Sequence, residues 1–166
     1  ALPEVIQTAA PLLLAHVIAD FLLQSDRMIE RKTRPATLAL HAGLVLLTAA
    51  LLLAPTTQQG AIALAILTVA HAVIDRIKLH FGDTLSPYLI DQAAHLFTIA
   101  AIAFIAPTLW SDSLWTALPD SAPLTTAMLW LAGFIAAVAA GGHAVAKLMA
   151  PYHAFWTRRR ILGGGL

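Results

Sequence analysis

The stretch Ala10-Pro11-Leu12-Leu13-Leu14-Ala15-His16-Val17-Ile18-Ala19-Asp20-Phe21-Leu22-Leu23-Gln24 decides how the chain is read. It closes an apolar run over about residues 4–24, and about 20 apolar residues suffice to cross a hydrocarbon core of ~30 Å. Inside the run stand His16 and Asp20, four residues apart. A cleaved signal-peptide core is not expected to carry such a pair, so the run is read as a retained transmembrane helix. Ionisable groups at that depth almost always face the interior of a helix bundle.

Further apolar runs fall at about 36–55, 60–80, 87–106 and 123–148. They are separated by turn-forming stretches: Ser25-Asp26 with Arg34-Pro35, Pro55 through Gly60, Gly82-Asp83 through Pro87, and Pro107 through Pro123. Pro35 and Pro87 suit the first turn of a helix, where the missing N–H costs little. Hydrophobic residues make up 59% of the 166 and charged residues 11%, against roughly a quarter charged in a soluble domain. The expectation is an all-α, polytopic membrane helix bundle of five spans, a single membrane domain over 1–166. Without cysteine, the chain has no disulfide, thiolate metal site, iron–sulfur cluster or cysteine nucleophile. A net charge of +1 excludes a nucleic-acid partner on electrostatic grounds.

Charge placement orients the bundle. Arg27, Arg31, Lys32 and Arg34 lie in the first loop, Arg76 and Lys78 flank the third, and Lys147 and Arg158-Arg159-Arg160 follow in or after the last span. The second loop has no charge, and the fourth has only Asp112 and Asp120 beside Trp110 and Trp115. The positive-inside rule then places the N-terminus outside and the C-terminus in the cytoplasm. A short internal repeat pairs Ala15-His16-Val17-Ile18-Ala19-Asp20 with Ala70-His71-Ala72-Val73-Ile74-Asp75, each followed some 25 residues later by a histidine, His41 or His95. It implies two parallel helical hairpins with a site between them. Six matching positions are few, and chance matching in apolar helices competes with duplication.

Topology joins these motifs. His16 and Asp20, like His71 and Asp75, lie at i,i+4 on helices running inward, whereas Asp91 and His95 lie at i,i+4 on a helix running outward. The histidine is therefore the deeper residue in all three, with the aspartate about 6 Å nearer the cytoplasm at 1.5 Å per residue. His41 falls near the histidine level. Residues four apart share a helix face, so four imidazoles and three carboxylates are expected to converge. That donor set suits zinc first, with iron or manganese as alternatives, and seven candidates can hold one or two ions: His16, Asp20, His41, His71, Asp75, Asp91 and His95. The competing reading takes each His/Asp pair as a buried hydrogen bond that fixes helix packing. A carboxylate can equally orient a ligating imidazole, which leaves the division of the aspartates open. Gln24 and Gln92 flank the cluster, and Arg76 and Lys78 can hold an anionic headgroup or act only as interfacial anchors. His143 has no carboxylate near it in sequence and is set aside. His80 and His153 are read as interfacial, and Arg158-Arg159-Arg160 as a headgroup anchor.

The strings Ala15 through Gln24, His41, His71 through Asp75 with Lys78, and Asp91-Gln92-Ala93-Ala94-His95 resemble the bacterial membrane proteins grouped as domain of unknown function 3307, over roughly residues 11–100. The resemblance implies a multi-pass protein of the bacterial inner membrane and leaves the reaction unassigned. It also implies further helices after a basic, glycine-containing stretch, whereas this sequence ends at Gly163-Gly164-Gly165-Leu166, as a short member or a truncated one. A looser similarity links it to membrane-bound metal-dependent hydrolases, by analogy only.

The leading expectation is a membrane-embedded, metal-dependent hydrolase of a lipid or amphiphile at the cytoplasmic face. Asp20, Asp75 and Asp91 supply ligands and the general base, and Gln24, Arg76, Lys78 and Gln92 contact the substrate. The alternatives are a small metal-ion or proton-coupled transporter and a non-catalytic membrane partner subunit. Transport sites favour broken helices, and only Gly141-Gly142 interrupts a span here.

Overall fold

A computed structural model describes the backbone of residues 2–163 and the side chains of residues 2–152. His153 and Arg158-Arg159-Arg160 thus fall outside the described side chains. Helix α1 spans Glu4–Ile18 and runs on through a π-helical turn, Ala19–Leu23. A short α2, Asp26–Glu30, lies in the first loop, followed by α3, Pro35–Leu53, α4, Gln58–Lys78, and α5, Leu85–Ile105. Two 3-10 turns, Pro107–Leu109 and Leu114–Ala117, lead into α6, Ala122–Ile135. A second π-helical turn, Ala136–Ala140, joins α6 to α7, Gly141–Gly163. Five helical stretches are long and apolar enough to cross a membrane: Glu4–Leu23, Pro35–Leu53, Gln58–Lys78, Leu85–Ile105 and Ala122–Tyr152. These match the expected runs to within a few residues at each boundary.

Local chemistry explains the boundaries. Pro35 opens α3 at its first position, where its fixed φ suits a helix and no N–H is missed. The Ser25 hydroxyl caps α2 by accepting from the Met28 N–H, and Thr57 caps α4 by accepting from the Gly60 N–H at 3.2 Å. Gly141-Gly142 does not break the fifth span. Helical geometry continues through both residues, and the irregularity is the π turn just before them. Glycine costs a helix only about 1 kcal/mol relative to alanine, too little to interrupt it by itself.

Helix α1 is the most buried span and packs against α3, α5 and α6, while α3 packs on α4 and α4 on α5. Ala10, Ala15 and Ala19 are fully buried along it, as are Ala49 of α3 and Ala103 of α5; small residues let helix backbones approach closely. Leu12, Leu53, Leu64, Ile99 and Leu109 fill one half of the bundle with a continuous apolar core. Large apolar side chains such as Phe104, Trp130 and Phe134 face outward.

The bundle end formed by the N-terminus, the α3–α4 loop and the segment after α5 is tied by hydrogen bonds. The Thr8 hydroxyl donates to the Pro107 carbonyl at 2.6 Å and accepts from the Trp110 N–H at 3.1 Å. Pro55 and Ser113 form an antiparallel bridge, with Thr56 N–H donating to Asp112 O and Leu114 N–H to Ala54 O. The Trp115 indole donates to Leu51 O at 3.0 Å. Ala54 ends α3 in the left-handed region, φ 44°, and a side chain at Gly60 would collide with Pro55.

Candidate metal centre

The opposite half of the bundle carries the ionisable groups. His16 comes from α1, Asp20 from its π turn, His41 from α3, His71 and Asp75 from α4, and Asp91 and His95 from α5. All but Asp20 are buried as whole residues, and the Asp20 side chain is only 8% exposed. The four helices face the same polar interior because lipid exposure of such groups is costly. π-helical turns are rare and cluster at functional sites; this one carries Asp20.

The expected 6 Å offset between histidine and aspartate levels does not survive in the side chains. Each Cα–Cβ bond tilts toward the N-terminus of its helix, so Asp20 and Asp75 lean away from the charged bundle end. His41, on a helix of opposite direction, leans to meet them. The result is one interleaved cluster. His41 Nε2 and His71 Nε2 lie 3.1 Å apart, and Asp20 Oδ1 is 3.2 Å from each. Ligands of a tetrahedral ion at roughly 2.0–2.1 Å stand about 3.3–3.4 Å from one another, so these three atoms have the spacing of one face of such a site. Asp75 Oδ2 adds an oxygen 3.4 and 3.5 Å from the same two nitrogens. Asp20 Oδ1 and Asp75 Oδ2 are buried with no hydrogen-bond partner. Ring nitrogens and carboxylate oxygens gathered this closely call for a proton or a cation between them.

The remaining groups frame this triangle. Asp91, His95 and Asp75 form a second set able to hold an ion, and His16, His71 and His95 a third. In the second set, however, lysines already serve as counterions: Lys32 Nζ is 2.8 Å from Asp75 Oδ1 and Lys78 Nζ 2.7 Å from Asp91 Oδ2. Among the described residues, Asp20 is the one carboxylate of the three with no lysine or arginine bridge. Gln92 donates to Asp91 Oδ2 at 3.2 Å and accepts from His16 Nε2 at 3.3 Å, linking α1 to α5.

A cavity of about 430 Å³ opens from this cluster toward the charged bundle end, with Asp20, Asp91, Gln24 and Gln92 in its lining and Lys32, Lys78 and Lys147 around it. On the other side of the imidazoles only about 10 Å³ remains, beside His16, His71 and His95, space for one water at most. Beyond it lies the apolar core. The site is a cup, open at one end.

Of the expected site residues, the seven histidines and aspartates come together, and Gln24, Gln92 and Lys78 line the cavity. Arg76 does not join them. It lies exposed on α4, next to Asp75 in sequence and therefore about 100° around the helix from it. Sequence reasoning missed Lys32, His143 and Lys147. Lys32 was read as an orientation signal alone, yet it is buried on Asp75. His143 stacks on Phe21 with ring centroids 5.8 Å apart, and Lys147, one turn further, pairs with Asp83 at the cavity wall. Their i,i+4 spacing was the available signal.

A family model described as protein of unknown function (DUF3307) matches residues 9–121. The chain belongs to this family. The DUF3307 match covers all seven clustered residues and reaches beyond α5 through the segment that ties the opposite end of the bundle, stopping just before α6. No curated protein matches the chain, and no solved structure matches it.

Proposed function

We propose that this DUF3307 member is a membrane-embedded metal-dependent hydrolase that binds one divalent ion, zinc in first place, through His41, His71 and Asp20, and acts on a lipid or amphiphile. The observation that carries the reading is the Asp20 carboxylate. Oδ1 is buried, lacks a lysine counterion, and sits 3.2 Å from two imidazole nitrogens themselves 3.1 Å apart. Two histidines and a carboxylate with a further position left for water or substrate are the ligand set of hydrolytic zinc sites. Asp75 Oδ2 lies 3.4 and 3.5 Å from the same two nitrogens but outside the set of atoms that could hold one ion together with Asp20. With Lys32 and Lys78 neutralising Asp75 and Asp91, Asp20 is the one negative charge left, and a single divalent ion there gives the site a net positive charge.

A bound ion supplies Lewis acidity toward the substrate's ester oxygen and lowers the pKa of water. The chain's own groups do the rest. Asp91, at the cavity lining, is the general base: its Oδ2 is held by Lys78 and Gln92, while Oδ1 has no hydrogen-bond partner and lies 3.6 Å from His95 Nε2. His95 Nε2, 3.6 Å from Asp91 Oδ1 and 3.9 Å from Asp75 Oδ1, is the nearest imidazole nitrogen to take up the proton that Asp91 abstracts. Gln24, with an unpartnered buried amide nitrogen, and Lys78 face the cavity and hold the headgroup. By the positive-inside rule the cavity opens to the cytoplasm; the family resemblance supports the bacterial inner membrane, and the match of Ala15–Asp20 with Ala70–Asp75 supports two His/Asp hairpins related along the membrane normal. A transport pathway would have to pass the apolar core behind the imidazoles, which favours the one-sided, enzymatic reading.

Elemental analysis of the purified protein at neutral pH tests this. Wild type is expected to carry one equivalent of zinc, iron or manganese; His41→Ala is expected to lose it, and Asp91→Asn to retain it while losing hydrolysis. Wild-type protein free of transition metal would end the reading.

A further inference from the structure

Between α4 and α5, on the outward face, lies an apolar groove of about 180 Å³ lined by Ile74, Ile77, Ile90 and Ala94, with Pro87 and Phe81 at its charged end. Its lining includes Lys78 and Asp91, and these two residues, with Phe81, also line the polar cavity. The Lys78–Asp91 pair, 2.7 Å across, is thus the wall shared by a hydrocarbon-lined space and a headgroup-sized one. Asp91 is 3% exposed on its side chain and Lys78 28%, so the ammonium is the more accessible of the two. Lys78 and Lys147 stand 5.5 and 5.8 Å from the centre of the Tyr88 ring, two cations on one residue. Each already bridges a carboxylate, Lys78 to Asp91 and Lys147 to Asp83, and a phosphate entering between them would share both ammonium groups, since its several oxygens can accept from more than one cation.

We propose that the substrate is a phosphate-bearing lipid whose chain lies in the α4–α5 groove and whose headgroup passes the Lys78–Asp91 threshold into the cavity. This rests on the hydrolase reading for its chemistry but not for its geometry. From Pro87 to Ala94 the groove follows about 10 Å of the α5 axis, enough to hold the start of an acyl or isoprenoid chain while its phosphate reaches Lys78. Lys32, Lys78 and Lys147 are bridged to Asp75, Asp91 and Asp83, which leaves Asp20, among the described residues, as the cavity carboxylate without a lysine bridge, so a divalent ion on Asp20 gives the site one net positive charge for an anionic headgroup.

The test reconstitutes the full chain in phosphatidylcholine vesicles carrying tracer phosphatidic acid with a diazirine in its acyl chain, followed by irradiation and mapping of adducts. Ile77 and Ile90 are 54% and 69% exposed, close to the 72% of Phe104 and 78% of Trp130, so undirected lipid contact predicts equal labelling. The expected result is about tenfold more adduct on Ile74, Ile77, Ile90 and Ala94 than on Phe104 and Trp130. Unlabelled phosphatidic acid should compete for it and oleate should not. Ala94→Trp, which fills the groove, should remove that excess without changing metal content. Even labelling, or competition by oleate equal to that by phosphatidic acid, overturns the proposal. Concentrated labelling on protein that proves metal-free upholds the groove while ending the hydrolase reading; even labelling on metal-loaded protein does the reverse.

Discussion

The two ends of the bundle are built on opposite principles. At the end away from the cluster, Thr8, the Pro55–Ser113 bridge and the Trp115 indole tie four chain segments with bonds in which at least one partner is backbone. At the charged end the connections are between ionisable side chains: His41 to Asp20, Lys32 to Asp75, Lys78 to Asp91. Backbone-anchored bonds are satisfied once the chain is folded and do not depend on ions. A buried charge cluster holds only while its charges balance, and so its stability is coupled to what it binds.

Breaking that balance should have the largest effect. Lys32→Met leaves Asp75 buried without its ammonium and is expected to destabilise metal-free protein by about 3 kcal/mol, the scale for a buried pair that loses one member. Denaturant titration in detergent should show a smaller loss when zinc is saturating; an equal loss with and without zinc would erase the distinction between the ends. Thr8→Val comes next. It leaves the Pro107 carbonyl and Trp110 N–H without their partner and should cost about 1–3 kcal/mol in the same titration, with metal content unchanged. A parallel loss of metal would mean that the two ends are coupled. Smallest is Ala54→Gly, which relieves the left-handed φ of 44° and should raise stability by about 0.5 kcal/mol, since strain relief is partly offset by the freedom glycine has when unfolded. A loss of stability there would show that the Ala54 methyl packs usefully at this backbone-tied end.

The five spans were readable from apolar run length, and the meeting of His16, His41, His71 and His95 with three aspartates followed from i,i+4 spacing and helix direction. Both are periodic signals along single helices. What sequence could not show depends on side-chain lean and on loops. Opposite lean on antiparallel helices brought His41 of α3 to the level of Asp20 and Asp75. Lys32 follows a short helix that no apolar pattern marks, and its descent onto Asp75 is a tertiary contact between residues 43 apart. Arg76 and Lys78 looked equivalent as basic residues near a helix end, yet two helical positions separate an exposed side chain from one bonded to Asp91. His143 lacked a nearby carboxylate in sequence and found Phe21 of α1 instead.

The π turn at Ala19–Leu23 also bears on how the chain is made. Asp20 enters with the first span, while His41, His71 and Asp75 belong to spans synthesised later. Until they arrive, its carboxylate must be tolerated alone, and an aspartate at a helix centre costs about 2.5–3.5 kcal/mol on insertion scales. Asp20 stands three residues from the end of its span at Leu23, about 5 Å along the axis, close enough to headgroup water to stay hydrated during synthesis. The shallow placement that opens the cluster to a cavity is thus also what makes its first helix insertable before any partner exists.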